Sequence, residues 1–129
     1  MEGSKKKKGE VDVSQFDEES LFCMLELLMV LLSTDKTVED FFKKDIINQE
    51  VKRNNQKKTM QIINSGKFFD GLRKVGIWKE KGEHEPLKEV LRLDKRYPDL
   101  LKVKKITGAL EALQANKDFM DEIQHHMEE

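Results

Sequence analysis

The chain is short of the features that build specialised architectures. It has one cysteine, Cys23, in 129 residues, which excludes an internal disulfide framework and a cysteine zinc cluster. Two prolines and seven glycines exclude collagen-like and proline-rich chains. No apolar run approaches the ~20 residues that cross a bilayer, and the longest, Leu21 to Leu32, is interrupted by Glu26. The N-terminus is lysine-rich and then acidic, unlike a signal peptide. These absences lead to the expectation of a soluble intracellular domain, of a length that suits one domain rather than two.

The recognised ingredients of catalysis are scarce as well. The glycines stand singly, with neither a dinucleotide fingerprint nor a phosphate-binding loop. Cys23 lies inside the most apolar run, where a thiol is inert. His84 sits in a charged loop, and the adjacent His125 and His126 would point to different sides of a helix, which is poor zinc geometry. Acid pairs such as Glu18-Glu19 and Asp121-Glu122 read as helix-end and surface charge. The chain is therefore expected to be no enzyme and to carry no cofactor and no metal.

What is present is charge, unevenly spread. Glu10 to Glu26 holds six acidic residues and no basic one, Lys43 to Lys105 holds 18 Lys/Arg against 9 Asp/Glu, and Asp118 to Glu129 holds five acids and no Lys or Arg. A further basic run, Lys5-Lys6-Lys7-Lys8, stands near the start. Such blocks either pair within the folded molecule or dock partners. Lys5 to Lys8 fits a nuclear-import address or a nucleic-acid contact, or simply a solvated tail. Lys52-Arg53 with Lys57-Lys58 forms a second cluster able to neutralise phosphates, and no aromatic residue interleaves there for base stacking.

Periodicity organises the rest. Residues 1–13 lack apolar spacing and read as a tail. Ser14, followed by Asp17, Glu18 and Glu19, signals a helix start. That helix should run to about Leu32, with apolar positions around nearly its whole circumference, as a central strut. Thr37 with Asp40 gives a second cap, and helical spacing continues through Ile46, Ile47 and Val51 to Arg53. Asn54 to Lys58 is an exposed connection. Met60, Ile62 and Ile63 start another helical turn, and Phe68, Phe69, Leu72 and Val75 resume the spacing until Gly76. Trp78 plugs one end of the structure, its N–H finding a carbonyl. Pro86 opens a helix that Tyr97-Pro98 closes. Leu100 to Leu113 and then Phe119, Met120 and Ile123 continue the pattern. No convincing run alternates strictly. The expected fold is all-α, one compact antiparallel bundle of about five to seven helices over residues 14–129.

Residues Gln15 to Val75 resemble the helical bundle of the TFIIS N-terminal domain. The nearest variant is the integrase-binding domain of lens epithelium-derived growth factor and hepatoma-derived growth factor-related proteins. The stretches that carry the resemblance are QFDEESLFCMLELLMVLLS, TVEDFFKKDIINQEVKR and QIINSGKFFDGLRKV. The resemblance implies a scaffold that captures disordered peptides between helix-connecting loops. The family's Ile-Asp pair falls on Phe16-Asp17, where Asp17 would accept hydrogen bonds from a partner's backbone or, read from this chain alone, cap the first helix. The family's second loop falls on Lys57-Lys58-Thr59, without its exposed aromatic residue. The leading expectation is a protein-interaction module in the nucleus. It would dock peptide segments of transcription or chromatin regulators on Phe16, Asp17, Asn54, Asn55, Lys57, Lys58 and Thr59. The alternatives are nucleic-acid binding through Lys52, Arg53, Lys57 and Lys58, and a structural subunit assembling through its apolar first helix.

Overall fold

The computed structural model describes residues 13–116 together with 118, 121 and 125. Lys5 to Lys8, Phe119, Met120, Ile123 and His126 lie outside the described residues. Helix α1 spans Glu18–Thr34. Its cap is Asp17, whose carboxylate accepts the Ser20 amide at 3.1 Å, while Ser14 falls in a short 3-10 turn over Val13–Gln15. Glu18 and Glu19 in the first turn oppose the positive end of the helix dipole. Helix α2 is the four residues Val38–Phe41, held by the expected reciprocal cap of Thr37 and Asp40.

Beyond α2 the chain is not helical. Strand β1, Ile46–Arg53, turns back at Asn54-Asn55 into β2, Gln56–Asn64. The two strands pair antiparallel in unbroken register from Ile46↔Ile63 to Arg53↔Gln56. Asn54 and Asn55 have φ of 50° and 65°, the left-handed pair that a two-residue hairpin turn requires and asparagine tolerates. Helix α3, Ser65–Lys74, follows β2 directly. Helix α4, Glu85–Leu91, opens on the expected Pro86. Strands β3, Arg92–Asp94, and β4, Tyr97–Lys102, make a second hairpin, and α5, Val103–Ala115, follows β4 directly.

The sheet order is β1-β2-β4-β3. The fold is therefore mixed α and β, and the all-α bundle and the TFIIS-type resemblance are both overturned. Residues 46–64, which either would make helical or loop, form the longest hairpin. The physical reason lies in where burial occurs. An alternating pattern needs one buried face, yet Asn48 to Glu50 and Gln56 to Thr59 are exposed on both faces of the hairpin. The apolar ends, half-buried Ile46 with exposed Ile47 and fully buried Ile62-Ile63, present neighbouring apolar residues that imitate helical turns.

The two hairpins are related by a local two-fold. Ile63 pairs with Leu101 across the sheet centre, and each stands two residues before its following helix, α3 at Ser65 and α5 at Val103. Two residues before each centre, the strand is tied to the helix that precedes its own hairpin. Gln61 Nε2 donates to Glu39 of α2 at 2.9 Å, and Asp99 pairs with Lys88 of α4 at 2.8 Å.

Between the helices and one face of the sheet lies the core. It draws Met24, Leu27 and Leu28 from α1, Ile63 and Leu101 from the central strands, Phe68, Phe69 and Leu72 from α3, and Ile106, Leu110 and Leu113 from α5. Each such side chain contributes roughly 1.5–3 kcal/mol by leaving water. Helix α1 is the strut its composition implies, although Phe22 and Leu32 remain exposed. A row of rings, Phe42, Phe68, Phe69 and Trp78, runs through the core with neighbouring centroids 5.2, 5.3 and 5.6 Å apart. The Trp78 Nε1–H donates to the Gly82 carbonyl at 3.1 Å. Gly71 lets α3 close on Phe42, since a Cβ there would come within 2.7 Å of that ring. Among the described residues no helix is long and apolar enough to cross a membrane.

Candidate functional site

Strand β4 covers only Ile62, Ile63 and Asn64 of β2, because the chain turns into α5 after Lys102. The rest of β2 has β1 on one side and a groove on the other. The hairpin geometry decides which groups face that groove. Arg53 and Gln56 close a two-residue turn and so exchange backbone hydrogen bonds. By alternation, the N–H and C=O groups of Lys57, Thr59 and Gln61 point away from β1. An open strand edge of this kind accepts another strand.

The groove has a volume of about 450 Å³ and runs between Lys58 to Gln61 on β2 and Lys102, Val103, Lys104 and Thr107 of α5, with Glu39 on one wall. Its charge is three lysines to one carboxylate, and that carboxylate is engaged by Gln61. Among the described residues, Lys58 and Lys104 make no ion pair. Helix α5 adds to the positive potential. Asp17, Thr37 and Asn64 cap α1, α2 and α3 through their side chains, but Lys102 gives α5 no side-chain cap and its first turn holds no acid. Free amides at a helix start favour an anion.

The equivalent place in the other half is already filled. At the start of α3 the Ser65 hydroxyl donates to the Glu83 carboxylate at 2.9 Å, and Lys88 pairs with Glu83 at 3.1 Å and Asp99 at 2.8 Å. The hydrogen bonds that Lys88 donates to Asp99 and Glu83 raise its pKa above the ordinary value. A loop carboxylate thus sits beside a strand and a helix start there. At α5 the lysines face a groove.

The expected site residues separate. Lys58 and Thr59 line the groove. Asn54 and Asn55 form the hairpin turn, and Lys57 lies opposite Lys52. Arg53 ends β1 opposite Gln56. Phe16 is half-buried against the core, and Asp17 caps α1. No hydrogen bond or ion pair joins Phe16 or Asp17 to residues 54–59, so the surface assembled from both is not brought together by contact. Sequence reasoning missed Gln61, Lys102, Lys104 and Thr107. The available signal was Lys102-Val103-Lys104-Lys105 at the head of a helical pattern, where cap residues and acids are the usual choice.

Asp17 has a second task. His84 Nε2 lies 2.9 Å from its carboxylate, and His84 Nδ1 lies 3.8 Å from Glu19. Burial raises the Asp17 pKa, but hydrogen bonds with Ser20 and His84 outweigh it and hold the carboxyl below its ordinary value. The carboxylates face different ring nitrogens of His84, and one ligand atom from each of Asp17, Glu19 and His84 lies within 4.8 Å of the other two. His84, which the sequence places in a charged loop, is half-buried and its ring packs 5.5 Å from that of Trp78. It ties the loop before α4 to the start of α1. Cys23 is buried, and desolvation, then Glu26, Glu19 and Asp17, push its thiol up to about 11.

Comparison with protein-family models, with curated proteins and with solved structures finds no match, so the roles of these residues rest on their own geometry and chemistry.

Proposed function

We propose that the chain is a non-enzymatic interaction module that docks an extended, acidic peptide segment of a partner protein in the groove between β2 and α5. One observation carries the reading: an open strand edge and an uncapped helix start meet across one groove with Lys58, Lys102 and Lys104 around it. The peptide would add a strand along Lys57 to Gln61, continuing the line of β4, with main-chain bonds giving affinity and alternate side chains giving specificity. An acidic side chain would sit against Lys102 and Lys104 as Glu83 sits at the start of α3. The lysines would speed encounter more than they tighten the complex. Transcription and chromatin regulators, whose disordered segments are often acidic, are the proposed partner class. Lys5 to Lys8 acting as an import signal, and a nuclear location, belong to the same proposal.

The test is titration of a Glu-rich peptide, with a Gln-rich peptide of equal length as control. Lys58→Glu and Lys104→Glu should each weaken the Glu-rich peptide about tenfold or more while helix and strand content stay unchanged. Equal binding of both peptides, or unchanged affinity in both variants, removes the groove from the account.

A second reading has its own observation. Lys52 and Lys57 lie opposite each other near the end of a two-stranded ribbon, with Lys58 beside them, and a ribbon of this width fits the major groove of a duplex. It requires duplex binding that falls steeply with salt. No retention of duplex or single strands at low salt dismisses it. The third alternative, assembly through α1, has less to work with, because most of that helix's apolar surface is spent in its own core.

A further inference from the structure

The sheet has two outer edges of opposite character. The β3 edge is three residues long and its pairing is irregular between Arg92 and Asp94, which is how proteins blunt an edge. The β1 edge is eight residues long, pairs without a bulge, contains no proline, and carries Ile47 at 52% exposure. The hairpin alternation that turns Arg53, Val51, Gln49 and Ile47 toward β2 turns the backbone of Asn48, Glu50 and Lys52 outward. Among the described residues their outward partners amount to one weak contact, the Gln49 side-chain amide on the Glu50 carbonyl at 3.3 Å. This edge is separate from the groove, which lies on the far side of β2.

We propose that the β1 edge binds a second copy of this chain, strand to antiparallel strand, centred on Val51. Three two-fold registers engage at least two of these outward residues. Centring on Glu50 sets two carboxylates opposite each other and is disfavoured. Centring on Gln49 leaves Glu50 opposite Asn48. Centring on Val51 sets Glu50 of each copy against Lys52 of the other, twice, with the two Val51 side chains meeting on the axis, and it alone opposes unlike charges. The product is a continuous eight-stranded sheet with the two docking grooves on either side of the joint.

The test uses sedimentation of the full chain over a wide concentration range. The expected result is a reversible dimer that weakens about tenfold or more with Glu50→Lys or Lys52→Glu alone, because each places like charges opposite twice. The double variant Glu50→Lys with Lys52→Glu should restore the dimer. Under mild oxidation Val51→Cys should cross-link and Gln49→Cys should not. Circular dichroism of each variant checks that the exposed substitutions leave the fold intact. A chain that stays monomeric at every concentration overturns the proposal. So does a dimer indifferent to both single reversals, or one that cross-links at position 49.

Discussion

The molecule contains the same unit twice, and the copies differ where they do not need to agree. Around Ile63 and Leu101 they match: buried strand residue, strand-to-helix step, and a polar tie back to the preceding helix. Away from that centre, β3–β4 is a short hairpin closed by a turn in which the Asp94 carboxylate accepts the Arg96 amide at 2.7 Å. β1–β2 runs on for several residue pairs that touch no other strand. Apart from the half-buried Val51 and Met60, those added pairs are made of polar residues, most of the charged ones basic. A fold that closes with the short hairpin gains little stability from the long one, which points to binding as the reason for its length.

The largest expected effect comes from the shared centre. Ile63→Ala and Leu101→Ala should each cost about 2–5 kcal/mol in denaturant unfolding, since both side chains are fully buried. Values far apart would show that the two halves are not mechanically equivalent. Next is Gly71 of α3, whose counterpart in α5, at the same distance along the chain from the sheet centre, is Ala109. Gly71→Ala must displace the Phe42 ring and should cost about 1–3 kcal/mol, despite alanine's better helix propensity. A stabilised variant would mean that the aromatic row is loosely packed.

Asp17→Asn should cost about 1 kcal/mol at neutral pH, through the weakened cap and the lost bond to His84. The sign follows from the depressed pKa. The contribution of ionised Asp17 is present above the ordinary carboxyl pKa and fades as pH falls through the lower folded value. The difference between wild type and variant should therefore shrink on acidification. A gap that widens in acid contradicts the assignment. The smallest stability effect belongs to the long hairpin. Excising Glu50 to Thr59 and joining Gln49 to Met60, a pair that exchanges backbone bonds, by an Asn-Gly turn should move stability by about 0.5 kcal/mol or less, yet abolish Glu-rich peptide binding.

How much of this was legible in the sequence follows the same division. The helical half could be read because its caps are local chemistry: Thr37 with Asp40, acids after Asp17, Pro86 at the start of α4. Trp78 found its carbonyl as expected, and Cys23 is buried in the apolar helix. The sheet could not be read, because its strands are fully buried only at Ile62-Ile63, Leu93 and Leu101, too briefly for an alternating period to develop. Asn54-Asn55 was recognised as exposed, but its meaning as a left-handed turn depends on strands being recognised first. The groove was half visible. Lys58 and Thr59 belonged to an expected surface, whereas Lys102 and Lys104, more than forty residues further along the chain, reach them only through the β2–β4 pairing. Phe16 and Asp17 were drawn in by resemblance to a bundle that this chain does not form.

The most direct measurement of the central claim is amide hydrogen exchange of the full chain with and without a Glu-rich peptide. The account requires Thr59 and Gln61, whose amides face the groove, to become protected together with Lys104 in the first turn of α5, while Lys58 and Met60, bonded toward β1, change little. Protection confined to the start of α1, or spread evenly along both faces of the hairpin, would contradict strand addition in the groove.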